Sequence, residues 1–107
     1  MARKHKYNVA PKAERTVDGI VFDSKKESRR YGELRLLESQ GLIENLQLQP
    51  EYQCIVNEKK ICKYIGDFKY WESGKPVVED VKGVRTAVYR LKKKLVEALY
   101  GITIVEV

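Results

Sequence analysis

Asp67, Asp80 and Lys82 are the residues of this chain whose types and spacing point most directly to chemistry. Between the aspartates lies Glu72-Ser73-Gly74-Lys75, a turn separating two runs rich in valine and aromatic residues. That pattern predicts a β-hairpin over residues 65–83. Counting outward from Ser73-Gly74 sets Asp67 opposite Asp80, roughly 5 Å apart at Cβ and on one face of the sheet. Lys82 lies two residues beyond Asp80, so the strand period puts it on that face too.

Both aspartates stand among apolar neighbours: Tyr64, Ile65, Phe68, Tyr70 and Trp71 around Asp67, and Val77, Val78 and Val81 around Asp80. Charges this close to a core are costly unless paired or bound to a cation, and two carboxylates on one face repel. A divalent ion relieves both problems, and all-oxygen ligands favour Mg²⁺ or Mn²⁺ over zinc. Such a site suits phosphodiester hydrolysis, with Lys82 orienting the attacking water or offsetting charge in the transition state. A salt-bridged Asp80–Lys82 pair on an exposed sheet face would give the same spacing. Glu79 competes as a ligand, but strand parity sends it to the opposite face with Val77 and Val81 unless the register slips by one.

The elements that must position these groups read as follows. Residues 1–18 are polar and basic (Arg3, Lys4, His5, Lys6, Lys12, Arg15) and predict a loose arm, able to dock on DNA phosphates or simply disordered. His5, the only histidine, lies in this arm and is a poor candidate for chemistry. Asp18-Gly19 predicts a turn. Ser24-Lys25-Lys26-Glu27 fits a capping box that opens a helix, with Tyr31, Leu34 and Leu37 inward, Lys25, Lys26, Arg29, Arg30 and Arg35 on exposed arcs, and Gly41 ending it. Leu46-Gln47-Leu48-Gln49 alternates, and Pro50 marks an edge or bulge. Strands are expected at 53–56, 61–70 and 76–81. Thr86 caps a second helix over 87–100 with an apolar stripe of Val88, Leu91, Leu95 and Leu99; Gly101 ends it before a last strand at 102–105. A strand after a helical crossover pairs parallel, whereas the hairpin strands are antiparallel, so the expected fold is α/β: a mixed sheet flanked by helices.

At 107 residues the chain is one domain, 19–107, behind the arm. Its 43% hydrophobic content suits a globular fold, and no apolar run approaches the roughly 20 residues that span a bilayer. No signal-peptide pattern opens it, so a cytosolic location is expected. The net charge of +6 gathers in the arm and on both helices, as a phosphate-bearing partner would want. Arg85, Tyr89, Arg90 and Lys93, following Lys82, are placed to grip phosphates beside a cut, with Lys25 and Arg29 on the first helix also candidate DNA contacts; alternatively Lys92, Lys93 and Lys94 form a solvated face. Cys54 and Cys62 flank a second hairpin tip and can face each other, and without a CxxC or clustered histidines a zinc site is not expected.

Asp67 followed by Asp80-Val81-Lys82 resembles the D…(D/E)xK signature of the PD-(D/E)XK nuclease superfamily, with Gly66 where many members carry proline. The expected α-β-β-β-α-β order matches that superfamily's restriction-endonuclease-like core. More closely, Phe22-Asp23-Ser24-Lys25-Lys26-Glu27, Leu48-Gln49-Pro50, Ile65-Gly66-Asp67-Phe68 and Glu79-Asp80-Val81-Lys82-Gly83 look like a family of small phage and prophage proteins described as endonuclease- or resolvase-like. The resemblance implies Asp67, Asp80 and Glu27 as ligands of Mg²⁺ or Mn²⁺, Lys82 as the catalytic lysine, and Gln49 in the cleft. For Glu27 this competes with its capping role, and Ser24 can cap alone. Implied, too, are a duplex or branched DNA substrate such as a four-way junction, a bacterial host cytoplasm if phage-encoded, and a homodimer where cleavage is symmetrical. The alternatives are a module of the same fold that binds DNA without cutting, or a subunit of a phage or transposase complex.

Overall fold

The computed structural model describes residues 9–81 and 84–107; Lys82 and residues 1–8 of the basic arm lie outside them. In chain order the elements are a 3-10 turn (Lys12–Arg15), β1 (Thr16–Val17), β2 (Ile20–Val21), α1 (Lys25–Ser39), β3 (Glu44–Leu48), β4 (Glu51–Val56), β5 (Lys59–Ile65), β6 (Phe68–Glu72), β7 (Lys75–Asp80), α2 (Ala87–Tyr100) and β8 (Ile104–Glu106). The main sheet has the order β3-β6-β7-β8, antiparallel except for the parallel β7–β8 pair that α2 connects. The fold is therefore α/β with a mixed sheet. Helix α1 packs its Tyr31 and Leu34 with Phe68 and Tyr70 of β6. Helix α2 packs Tyr89 and Val96 with Val78 and Ile104, so one helix serves each core.

The hairpin has the register that the sequence predicts, from Glu72↔Lys75 to Phe68↔Glu79, with Ser73 and Gly74 both in the left-handed region (φ 53° and 78°). Ser24 caps α1 by accepting the Glu27 N–H at 3.0 Å, and Thr86 caps α2 by accepting that of Tyr89 at 3.1 Å. Gly101, at φ 65°, closes α2 in a left-handed turn.

Three expectations need correction. The single strand at 61–70 is two, because the chain bends at Gly66-Asp67 and passes from the β4–β5 ribbon into the main sheet. The facing chain bends at the same level: Gln49 turns at φ 51°, its N–H reaches the Asp67 carbonyl at 3.0 Å, and Gly66 donates to the Pro50 carbonyl at 2.9 Å. Pro50 has no N–H for a continuous ladder, which favours the bend there. Second, the stripe chosen for α2 faces outward at three of its four positions: Val88, Leu91 and Leu99 are exposed, and Tyr89 and Val96 are the buried residues. Third, the arm is tied down well before Asp18. Arg15 donates from Nε to the Ala10 carbonyl at 2.8 Å and from Nη1 to the Phe22 carbonyl at 2.6 Å, and β1 pairs with β2.

The bend depends on Gly66. A Cβ there would lie 3.1 Å from Val78 Cγ1 and 3.3 Å from Pro50 Cγ, both tighter than ordinary contact. Gly66→Ala is expected to cost about 1–3 kcal/mol through overpacking, measured as a lowered urea midpoint with unchanged slope.

Candidate active site

The bend puts Asp67 immediately before β6, beside Asp80 at the end of β7. The Asp67 N–H donates to the Glu79 carbonyl at 3.0 Å, and its Oδ2 accepts the Val81 N–H at 2.7 Å. Asp80 is 1% exposed, and its Oδ2 accepts a hydrogen bond from the Tyr64 hydroxyl. Glu27, on the first turn of α1, completes the group. Its Oε1 accepts the Asp23 N–H at 3.2 Å, and it lines the same cleft as Asp67, on which its charge acts. Only half of the expected capping box is seen: Ser24 caps the helix, while the Glu27 carboxyl takes the N–H of Asp23 and not that of Ser24.

The electrostatics follow from that crowding. Burial, then the charges of Glu27 and Asp80, push the Asp67 carboxyl up to about 7, against the opposing pull of the Val81 N–H. Glu27 is also raised, chiefly by burial, with Asp23 and Asp80 adding repulsion. Burial and the Asp80 carboxylate together push the Tyr64 phenol up, so it stays a donor. A cleft of about 210 Å³ opens over Glu27 and Asp67, with Asp23, Val21, Leu48 and Gln49 also among its walls. Gln49 thus lines the cleft.

Among the described residues, no group of three or more His, Cys, Asp or Glu side chains is arranged to hold a metal ion as it stands. The donor set nonetheless suits a hard divalent cation: carboxylate oxygens, half or fully buried, whose mutual repulsion an ion would remove.

Glu79 lies on the other face, as strand parity predicts. Buried at 1% exposure, it is gripped by Arg30, Nε to Oε1 at 2.7 Å and Nη2 to Oε2 at 2.6 Å, and accepts from the Tyr70 hydroxyl. Arg30 is therefore not on a solvent arc, and sequence reasoning missed it. The available signal was Glu79 itself, an acid inside an apolar strand that requires a base.

The candidate phosphate contacts are divided. Tyr89 is a core residue whose hydroxyl donates to Glu106 at 2.8 Å, and Arg85 pairs with the same carboxylate at 2.7 Å. Lys93 pairs with Glu97 at 3.1 Å, and Lys25 lies 3.8 Å from Glu14. Arg90 and Arg29 are exposed, and Arg29 lines a shallow cleft with Lys26, Arg30 and Val81. Cys54 and Cys62 are paired across the β4–β5 ribbon as free thiols. No helix among the described residues is long and apolar enough to cross a membrane.

The model of a family described as "Protein of unknown function (DUF1064)" matches residues 4–104. No curated protein and no solved structure matches the chain.

Proposed function

Since this chain belongs to the DUF1064 family, whose function is unknown, we propose its activity from the site itself: a divalent-cation-dependent endodeoxyribonuclease that hydrolyses phosphodiester bonds. The observation that carries the reading is the acidic cluster in which Asp67 shares a cleft with Glu27 and adjoins buried Asp80, with burial first and those two charges after it raising the Asp67 carboxyl to about 7. Supporting it is the sheet order β3-β6-β7-β8 with α1 before it and α2 crossing over, the order expected of a restriction-endonuclease-like αβββαβ core.

Asp67, Asp80 and Glu27 are the residues that would hold Mg²⁺ or Mn²⁺, which when bound polarises the phosphate and offsets the charge of the transition state. The chain's own residues do the rest. The Val81 N–H fixes one oxygen of Asp67, and the Tyr64 hydroxyl fixes one of Asp80, so both carboxylates are oriented before any ligand arrives. Lys82 follows Val81 directly in sequence and is assigned the role of orienting the attacking water. Exposed Arg29 and Arg90, with Lys26, are the described cations assigned to hold flanking phosphates.

The test offers duplex, flapped and four-way-junction DNA with and without Mg²⁺. Cleavage that needs Mg²⁺ and disappears in Asp80→Ala supports the nuclease, and preference for the junction supports a branched substrate. Equal cutting of all three rejects the branched-DNA part. A parallel melting experiment separates a nuclease from a DNA-binding module. Saturating Mg²⁺, about 100 times its Kd, should stabilise the intact protein by about 2.7 kcal/mol, and Asp80→Ala should abolish the rise. Binding of DNA with no cleavage and no Mg²⁺ effect would favour the module.

A further inference from the structure

We propose that Arg30 is a positioning residue for the acidic group: through its forked grip on Glu79 it fixes the helix bearing Glu27 against the strand end that bears Asp80 and anchors Asp67. The inference rests on the cation-site reading above and adds the device that holds that site in register.

The geometry is continuous from one side chain to the next. Arg30 lies three residues after Glu27 on α1, about one helical turn along. Its Nε and Nη2 bind the two oxygens of Glu79 at 2.7 and 2.6 Å, while Nη1 binds Glu33 at 2.9 Å and so sets the plane of the guanidinium. Tyr70, from the neighbouring strand, donates to the same Glu79 carboxylate. Glu79 in turn accepts the Asp67 N–H on its backbone carbonyl at 3.0 Å and is followed directly by Asp80. One guanidinium therefore links α1, β6 and β7 at the level where Glu27, Asp67 and Asp80 meet.

A link of this kind is needed because the three acidic groups repel. Besides a hydrogen bond from the Leu46 N–H of β3 to Glu38 at 3.0 Å, eleven residues beyond Glu27 on the helix, α1 meets the sheet through apolar contacts, Tyr31 and Leu34 against Phe68 and Tyr70. Such contacts are non-directional and resist sliding poorly compared with a two-point hydrogen-bonded fork. Nor is the pair best explained by stability, since apolar residues of similar size commonly serve as well in a buried position. What Arg30–Glu79 supplies and an apolar pair would not is a fixed direction and distance.

The test compares wild type with Arg30→Met/Glu79→Met and with Glu79→Gln, by calorimetric titration of Mn²⁺ and by kcat and KM on duplex DNA. Removing both charges avoids stranding one in the core, so the double variant should melt close to wild type. Both variants should bind Mn²⁺ about 10–100-fold more weakly and lose kcat, with little change in KM for DNA. Arg30→Lys, which keeps the charge and loses the fork, should fall between. A merely structural pair would move the melting temperature and leave Mn²⁺ affinity alone. Wild-type affinity and kcat in the folded double variant overturn the proposal and leave the nuclease reading standing. Absence of Mn²⁺ binding by the wild type overturns both. Should the double variant not fold, Glu79→Gln decides the matter on the same readouts.

Discussion

Asp67→Asn is expected to abolish cation-dependent cleavage while making the cation-free protein harder to unfold. The amide is isosteric with the carboxylate and its oxygen can still accept the Val81 N–H, which now lies 2.7 Å from Asp67 Oδ2. Its NH₂ would face Glu27 and Asp80, replacing repulsion by donation. Activity falls because a ligand charge is lost: a cation contributes several kcal/mol to such a transition state, so a decrease of about 10³-fold or more is expected.

The stability gain has a defined pH dependence. A carboxyl raised from 3.8 to about 7 keeps its proton in the fold after the unfolded chain has lost it. Wild-type stability therefore declines as pH rises from 3.8 toward 7 and is level above that. Asp67→Asn removes this decline, so its advantage is largest at pH 8 and shrinks at pH 5. Because Asp67 is partly exposed, solvent screening reduces the gain to about 1–2 kcal/mol. Thermal melts at the two pH values without divalent cations check the sign. A variant that melts below wild type at pH 8 would remove the crowding argument.

Phe68→Ala should be the most damaging core substitution. Phe68 is fully buried at the centre of the α1 side, its ring centroid 6.3 Å from that of Phe22 and 6.4 Å from that of Tyr31. Truncation should cost about 3–5 kcal/mol, a large part of the roughly 5–15 kcal/mol that a domain has in total. It follows Asp67 directly and seats the helix that carries Glu27, so activity should drop even at temperatures where the variant remains folded. Leu91→Ala is the matching control. Leu91 is 68% exposed on the outer face of α2 and should change stability by less than about 0.5 kcal/mol. Urea denaturation of both variants measures the contrast; equal losses would mean that α2 packs by the stripe the sequence suggested.

What was readable in the sequence depended on local signals. Ser73-Gly74 specified its turn and with it the hairpin register, and Ser24, Thr86 and Gly101 marked helix ends through hydrogen bonds made within a few residues. Parity along β7 separated Asp80 from Glu79 correctly, because strand period is a local property. The failures needed tertiary information. Helix α2 carries apolar residues on more than one arc, and only the arc facing the β4–β5 ribbon and the sheet is covered, so periodicity alone favoured the wrong one. The bend at Gly66 arises from a close approach to Val78 and Pro50, residues far from it in the chain. Arg30 looked like one more cation in a basic helix, since its partner Glu79 lies 49 residues away.

Everything proposed for the site requires that Glu27, Asp67 and Asp80 be held together to receive a divalent cation, and calorimetric titration of Mg²⁺ near pH 7 measures this without an intermediary. With Asp67 pushed up to about 7, a bound cation must displace part of a proton. Saturable binding is therefore expected, with a heat that changes with the ionisation enthalpy of the buffer, and Asp67→Asn should lose that binding. Absence of saturable binding, or binding that Asp67→Asn leaves unchanged, would contradict the cation site.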